Sequence, residues 1–378
     1  MSQLLNGYID VLRASSAPFV EMVDALLAQI PAEATLLRLT FFGQPSSNRM
    51  YVERWQLLRQ RVAARFGQAI PALCYVAQPP LDAPLLLELY GYQVQEEDQI
   101  SYGETAGTSY VLLRTGAGRF LFTGGFCGDP LACSIARQAE QAFVHLTETL
   151  RKTGFPLNSI QRQWNYIEGI TAFEGTDQHY QAFNNVRSAY YAEITWPMGY
   201  PAATGIGTHF GGVSIAVDAA LLTAPDAFAT PIDNRLQVAA HAYSEEVLEV
   251  ANQRKSTPKF ERAKCLTFGN GRLIYISGTA AIRGEESLKG VGLARQLAVT
   301  MENIRELIGS TPLGYLRVYL KHPTDYAEAV RLMADYALSI PITFMWADVC
   351  REELLIEIEG LAKEIESIKK LGSDEAME

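Results

Sequence analysis

An internal repeat constrains the fold of this 378-residue chain more than any other feature. Apolar runs that end in small residues are followed by helix patterns beginning Arg-Gln, then by a strand and a second helix. The matched segments are residues 119–125 with 273–279, the helices from 137 and from 295, the strands 160–167 and 316–321, and the helices 177–191 and 326–338. Units of this kind bury their apolar faces against one another, so the repeat predicts an α+β fold of similar units.

The first 95 residues repeat the same pattern more weakly. Their predicted elements are an amphipathic helix at 7–30, a strand at 36–42 and a helix at 51–66. The segment Leu-Leu-Leu-Glu-Leu-Tyr-Gly at 85–91 matches Leu-Leu-Ile-Glu-Ile-Glu-Gly at 354–360, which places Glu88 where Glu357 falls. A chance likeness between common strand–helix patterns is the alternative explanation for this first copy.

Three units in one chain would form a pseudo-trimer whose interfaces are all internal, and such a chain is expected to be a monomer. The predicted divisions are a degenerate unit at 1–98, a central unit at 99–222, a linker at 223–258 with a strand at 236–242, a third unit at 259–364 and a flexible acidic tail at 365–378.

Two short apolar runs, 342–346 and 354–358, predict neighbouring strands late in the chain. Side chains alternate along a strand, so Glu357 and Glu359 share one face and the apolar residues share the other. The sequence leaves two explanations open: a solvated polar sheet face, or a buried carboxyl that carries out acid catalysis.

Charge and cysteine usage exclude several classes of function. The net charge is −10 without basic runs, which argues against binding to nucleic acid or to an anionic membrane. The five cysteines are scattered without a Cys-x-x-Cys pair, and the five histidines lack metal-ligand spacing, which argues against a structural zinc site. With no signal-peptide pattern and no long apolar run, a reducing, cytoplasmic location is expected.

The glycine-rich segment 199–212 is the most unusual loop pattern in the chain. Free backbone N–H groups there could hold an anion, although a tight connection between strands fits equally well. It is not a dinucleotide fingerprint, because the full Gly-x-Gly-x-x-Gly is absent. Arg162 and Arg187 are candidate cations for the same ligand, with ordinary surface charges as the alternative.

Taken together, these segments resemble known families. Residues 265–362 resemble the YjgF/RidA family, which implies a mixed sheet backed by two helices and a trimeric assembly with ligand sites between units. Residues 118–360 resemble the larger chorismatases. The motifs that support this are Arg162 with Trp-Asn-Tyr, Phe183-Asn with Arg187, Tyr200-Pro-Ala-Ala-Thr-Gly, Phe260-Glu-Arg-Ala, Ser277-Gly-Thr-Ala and Ala347-Asp-Val-Cys-Arg with the strand at 354–360.

The resemblance implies an enzyme that removes the enolpyruvyl group of chorismate as pyruvate without metal or organic cofactor. It places the family's catalytic glutamate on Glu357. The implied substrate-binding residues are Arg162, Tyr200, Thr204, Gly205, Lys321 and Arg187. Product choice would depend on Ala263 and Cys350. Cys350 favours 3-hydroxybenzoate slightly, whereas Ala263 is typical of the branch that forms a trans-dihydroxycyclohexadiene carboxylate.

Two other functions fit the same scaffold. One is an enamine or imine deaminase of the RidA type, but the arginine expected after the proline of the penultimate strand is missing after both Pro201 and Pro341. The other is a small-molecule binder without catalytic activity. Release of pyruvate from chorismate separates all three hypotheses.

Overall fold

The computed structural model of the protein describes residues 4–131, 133–242, 256–269, 271–336 and 338–365. Within those ranges, no helix is both long enough and apolar enough to cross a membrane. Apart from Ile365, the tail predicted at 365–378 lies outside the described residues.

The first unit packs two helices on a four-stranded sheet of order β1-β4-β2-β3. Its elements are β1 (Gly7–Arg13), α1 (Phe19–Ala28), β2 (Leu36–Gly43), α2 (Asn48–Phe66), β3 (Ala72–Val76) and β4 (Leu85–Tyr92). The helix predicted at 7–30 is wrong in its first half, because residues 7–13 pair with β4 as a strand. The helix begins only after Pro18, whose fixed φ and missing N–H suit a helix start.

The second unit has a longer sheet of order β12-β9-β13-β7-β6-β5. Its elements are β5 (Gln99–Thr105), β6 (Thr108–Thr115), β7 (Gly118–Thr123), β8 (Phe126–Cys127), α3 (Ile135–Thr153), β9 (Ile160–Glu168), β10 (Phe173–Glu174), β11 (Asp177–Gln178), α4 (His179–Tyr191), β12 (Ala202–Thr208) and β13 (Val213–Leu222). Half of the segment expected to be a glycine-rich loop is therefore an edge strand, β12, which pairs in parallel with β9.

The third unit has the sheet order β14-β15-β16-β21-β19-β20. Its elements are β14 (Phe228–Ile232), β15 (Ala263–Phe268), β16 (Gly271–Ala280), β17 (Ile282–Arg283), β18 (Glu286–Ser287), α5 (Gly292–Ile308), β19 (Leu313–Leu320), α6 (Tyr326–Ala334), β20 (Ile342–Trp346) and β21 (Ile356–Ile365). The predicted linker thus contributes an edge strand, β14. The strand predicted at 236–242 is wrong, since residues 240–242 form a short 3₁₀ turn.

Serine and glycine mark the ends of the longer helices, as their chemistry requires. Ser47 accepts a hydrogen bond from the amide of Met50 at 3.1 Å at the start of α2. Ser134 accepts one from the amide of Arg137 at 3.4 Å at the start of α3. Gly154 ends α3 with φ = 73°, a left-handed conformation that favours glycine.

The three sheets share one connectivity. In each unit, the last strand inserts between the long strand that precedes the first helix and the strand that follows that helix: β4 between β1 and β2, β13 between β7 and β9, and β21 between β16 and β19. The strand after the second helix pairs in parallel with the strand before it. The α+β class predicted from the sequence is confirmed, and even the weak first copy has the complete connectivity.

Each unit buries one apolar core between its sheet and its helices, and the opposite sheet faces contact the other units. Phe143, Phe183 and Ile215 belong to the core of the second unit. Ile356 and Ile358 belong to that of the third. Because strand side chains alternate, the neighbouring residues of the same strands point toward the contacts between units.

Buried ion pairs join the three units in sequence. Each pair links an arginine of the strand after the first helix to an acid of the last strand of another unit: Arg38 with Asp218, Arg162 with Glu359, and Arg317 with Glu88. The pairs run from the first unit to the second, from the second to the third, and from the third to the first. The contacts therefore close into a ring within one chain.

We expect the chain to be a monomer in solution, because this ring leaves no unit without its neighbours. Size-exclusion chromatography with light scattering should give a mass near 41.8 kDa at micromolar concentration. A trimer of whole chains that persists on dilution would contradict this expectation.

Candidate active site

Strand β21 directs Glu357 away from the core of its own unit. Ile356 and Ile358 pack against the helices, so Glu357 and Glu359 both lie on the opposite face, as alternation predicts. Glu357 is flanked in the sheet by Ala280 of β16 and Tyr319 of β19. Only 5% of its surface is exposed, which excludes the solvated sheet face as its environment.

A bulge in β16 makes room for the carboxyl of Glu357. The register with β21 shifts between Ile276 and Thr279, which leaves Ser277 and Gly278 outside the regular pairing. A Cβ atom on Gly278 would lie 2.0 Å from Oε1 of Glu357, so only glycine permits this approach. The amide of Gly278 donates to Oγ1 of Thr204 at 2.9 Å, which joins the bulge to the second unit.

Glu357 faces a pocket between the second and third units. The lining residues come from α4, β12, the segment before β15, the end of β16 and the turn before β21: Gln178, Tyr180, Gln181, Asn184, Ala203, Gly205, Pro258, Phe260, Arg262, Gly278, Ala280, Ile282, Cys350, Arg351, Leu354 and Glu357. Gly205 allows β12 to approach α4, because a Cβ there would lie 2.8 Å from the ring of Tyr180. Within the described ranges, no group of three or more His, Cys, Asp or Glu could hold a metal ion.

The two glutamates of β21 have opposite electrostatic environments. Burial, and secondarily the charge of Glu359, raises the pKa of Glu357 to about 8, although Arg162 and Arg262 oppose the shift. Burial also disfavours the charged form of Glu359, but Arg317 and Arg162 outweigh it and lower the pKa of that carboxyl. At neutral pH, Glu357 therefore holds a proton and Glu359 is a carboxylate.

Arg187 is a buried cation beside the pocket. Its side chain is 1% exposed, and it donates from Nη2 to Oδ1 of Asn184, a lining residue, at 2.6 Å. Its Nε has no hydrogen-bond partner, and among the described residues no carboxylate forms an ion pair with it. A guanidinium in this state can bind a carboxylate that enters the pocket.

Three of the predicted substrate-binding residues lie elsewhere. Arg162 contacts Glu359 at 2.5 Å, so its charge is already compensated within the protein. Lys321 is paired with Glu352 at 3.2 Å and does not line the pocket. The ring of Tyr200 stacks on Tyr191, with ring centroids 5.9 Å apart, and contributes to packing at the edge of α4.

The other predicted residues lie near Glu357, but only some of them line its pocket. Gly205 lines the pocket, and Thr204 contacts the Gly278 amide behind it. Cys350 lines the pocket, and burial together with the nearby Glu357 raises its thiol pKa to about 12, so it is a neutral thiol. Ala263 does not line the pocket. It is fully buried in β15 opposite Ile276, directly after Arg262, which does line it.

Sequence reasoning named Arg187 and quoted Asn184 beside Phe183, but it gave no role to Tyr180 on α4 or to Arg262 before β15. Tyr180, Asn184 and Arg187 are spaced by four and three residues, so they share one helix face. That spacing was visible in the sequence. Arg262 was quoted only as part of the segment Phe260-Glu-Arg-Ala and without a role of its own, because its place in the pocket depends on how two units meet.

The corresponding positions of the other units do not provide a second acid. In the second unit, Asp218 lies opposite Arg162 as Glu359 lies opposite Arg317, and the residue two positions earlier is Ala216. In the first unit, Glu88 holds the place of Glu357, but its carboxylate is paired with Arg317 and accepts from Thr343 at 3.0 Å. Of the three positions, only that of Glu357 presents a carboxyl to a pocket without an arginine paired to it.

Comparison with known proteins gives consistent matches along the chain. The family model described as Chorismatase FkbO/Hyg5-like, N-terminal, matches residues 99–219. A 3-hydroxybenzoate synthase from Streptomyces hygroscopicus is 29% identical over 283 residues, 69% of this chain and 77% of that protein. A chorismatase from Streptomyces hygroscopicus is 28% identical over 375 residues, 94% and 98% of the two chains. A chorismatase crystal structure has the same fold, with 22% identity, a TM-score of 0.68, and coverage of 94% of this chain and 98% of its own.

Proposed function

We propose that the chain is a member of the chorismatase family, which it resembles in sequence and fold, and that it removes the enolpyruvyl group of chorismate as pyruvate, with Glu357 as the general acid. The observation that supports this most strongly is a buried carboxyl that faces a pocket and has a pKa of about 8. An enol ether must be protonated before it is cleaved, and a carboxyl in this state holds the proton at neutral pH.

The reaction begins with transfer of the Glu357 proton to the methylene carbon of the enol ether. That carbon becomes a methyl group, and the positive charge is left on the ether carbon as an oxocarbenium ion. Addition of water to this cation releases pyruvate and leaves the trans-dihydroxycyclohexadiene carboxylate. Capture by the ring hydroxyl, followed by aromatisation, releases pyruvate and leaves 3-hydroxybenzoate without net consumption of water.

Chorismate carries two carboxylates at neutral pH, so its pocket needs cationic donors. Arg187 fits one of them, because it is buried beside Asn184 and has an Nε without a partner. Arg262 and Arg351 line the same pocket and add positive potential around the substrate. We assign the first carboxylate to Arg187, since a bidentate guanidinium–carboxylate contact fixes both position and orientation.

The product is proposed to be 3-hydroxybenzoate, with the trans-dihydroxycyclohexadiene carboxylate as the alternative. Cys350 supports the first product because its neutral thiol lies in the pocket beside Glu357, where it can exclude or displace the capturing water. Ala263 would influence the outcome only through Arg262, its pocket-lining neighbour. Since one methyl group typically discriminates by only about 1–3 kcal/mol, neither position needs to decide alone.

Replacing Cys350 with Ala is expected to shift the products toward the dihydroxycyclohexadiene acid, because the smaller side chain leaves space for water beside the cation. Chromatography of the aromatic and cyclohexadiene products measures the ratio. As a matched control, Cys133→Ala changes a cysteine that precedes α3 and does not line the pocket of Glu357, so it should leave the ratio unchanged. If wild type and Cys350→Ala give the same product ratio, Cys350 contributes only to packing and does not direct product choice.

The function itself is tested by incubating the purified chain with chorismate. Pyruvate is followed by coupled reduction with lactate dehydrogenase, and the second product by chromatography. Binding of chorismate without release of pyruvate would instead identify a small-molecule binder. Release of ammonia from an imine substrate, with chorismate left intact, would identify a deaminase. We also propose a cytoplasmic location, since all five cysteines are free thiols.

A further inference from the structure

The carboxylate of Glu359 is the most heavily bound acid near the active site. It accepts from Nη2 of Arg162 at 2.5 Å and also from Arg317. The indole of Trp164 and the hydroxyl of Tyr319 each donate to it at 3.1 Å. Four donors to one buried carboxylate fix its charge as well as its position.

Arg162 extends this contact toward the catalytic acid. The same Nη2 donates to Oγ1 of Thr204 at 2.6 Å, and that oxygen accepts from the amide of Gly278. Gly278 is the bulge residue against which Oε1 of Glu357 packs. A continuous set of hydrogen bonds thus runs from the carboxylate of Glu359 through the second unit to the backbone beneath Glu357.

Arg317 extends the contact in the other direction, to the first unit. It is paired with Glu88, whose carboxylate also accepts from Tyr315 and Thr343. The two arginines and the two glutamates of this network sum to no net charge. Glu357 therefore lies beside a network that carries no net charge. The member of this network nearest to Glu357 along β21 is the carboxylate of Glu359.

We propose that Glu359, fixed as a carboxylate by Arg162 and Arg317, is a positioning residue that keeps the Glu357 carboxyl neutral and ready to donate its proton. This inference rests on the proposed function for its meaning in catalysis. The effect of the Glu359 charge on the ionisation of Glu357 can also be measured without following the reaction. Removing the negative charge of Glu359 should lower the pKa of Glu357, and removing the positive charge of Arg162 should raise it.

Other charged or titratable groups also face Glu357, and they stay constant in the test. Arg262 comes from the segment before β15, Tyr180 from α4, Tyr319 from β19, and Cys350 and Arg351 from the turn before β21. Because these five are present in every variant, a change in the ionisation of Glu357 is attributable to Glu359 or Arg162.

The test compares the pH dependence of kcat/KM for wild type, Glu359→Gln and Arg162→Gln. Glu359→Gln removes the anion, so Glu357 should ionise more easily. The basic limb of the pH profile, where kcat/KM falls as Glu357 loses its proton, should move to lower pH by about one unit or more. Arg162→Gln removes a cation, so the limb should move to higher pH. Trp164→Phe deletes a neutral donor to the same carboxylate and is the matched control, with a basic limb that stays in place. A purely structural role would reduce activity in all three without opposite shifts.

Thermal melting across pH gives a second measure that needs no turnover and separates this inference from the proposed function. In each background, the melting temperature is compared with that of the same protein carrying Glu357→Gln. The pH at which this difference stops changing reports the folded-state ionisation of Glu357. If this pH is lower in the Glu359→Gln background and higher in the Arg162→Gln background, the inference is supported even if chorismate is not cleaved. Unchanged values would overturn it, and if one variant fails to fold, the direction of the other decides.

Discussion

Replacing Glu357 with Gln is expected to abolish pyruvate release, with a loss of about 10²–10⁴-fold in kcat. The amide keeps the shape of the side chain in its glycine-lined space, but it cannot deliver the proton. Chorismate binding should persist, because Arg187 is unchanged. Stopped-time pyruvate assays and isothermal titration measure the two effects separately.

The matched control for this prediction is Glu364→Gln. Glu364 lies on the same strand, but it is paired with Arg272 in a partly exposed ion pair far from the pocket. We expect its activity to equal that of wild type. If Glu357→Gln retains most of the wild-type turnover, the proton donor is a different group and the proposed mechanism is wrong.

The same substitution has a predicted effect on stability. A carboxyl whose pKa is raised on folding stabilises the folded state fully below its unfolded value, near 4.5, and this contribution is lost as pH rises through the folded value, near 8. Glu357→Gln does not ionise. The variant should therefore gain stability relative to wild type between these two pH values, and the gap should stay constant above them.

Replacing Arg187 with Gln is expected to lower kcat/KM by about two to three orders of magnitude, mostly through KM. Truncating one partner of a buried charge contact typically costs about 2–5 kcal/mol, and here the partner is a substrate carboxylate. The free protein should lose little stability or even gain some, because this buried guanidinium has no carboxylate partner among the described residues.

Arg114→Gln is the matched control for Arg187→Gln. Arg114 is an exposed arginine in β6 of the same unit, and its loss should change neither KM nor kcat. Saturation kinetics with chorismate measure both constants. A normal KM for Arg187→Gln would show that the substrate carboxylates are bound by other residues, with Arg262 and Arg351 the next to replace.

The local sequence pattern was sufficient to predict those features of the fold that depend on side-chain alternation along a strand. The separation of Glu357 and Glu359 from Ile356 and Ile358 follows from the geometry of a strand alone, and the structure confirms it. The recurring order of strands and helices likewise predicted three similar units. Strand β1 was missed because the apolar pattern of α1 was extended back across Pro18, where a helix start is favoured rather than a helix interior.

What the sequence alone determined was which residue types exist on which face: an acid within an apolar strand, and a polar stripe on α4. Only the tertiary structure decided which of these groups meet. Arg162 and Glu359 are separated by 197 positions, yet they form one buried ion pair, so the arginine predicted to bind substrate has a carboxylate partner within the protein. Long-range pairing depends on how the sheet faces of separate units are brought together. No local periodicity encodes that arrangement. It leaves Arg187 without a carboxylate partner among the described residues, and it buries Glu357 in surroundings that raise the pKa of its carboxyl.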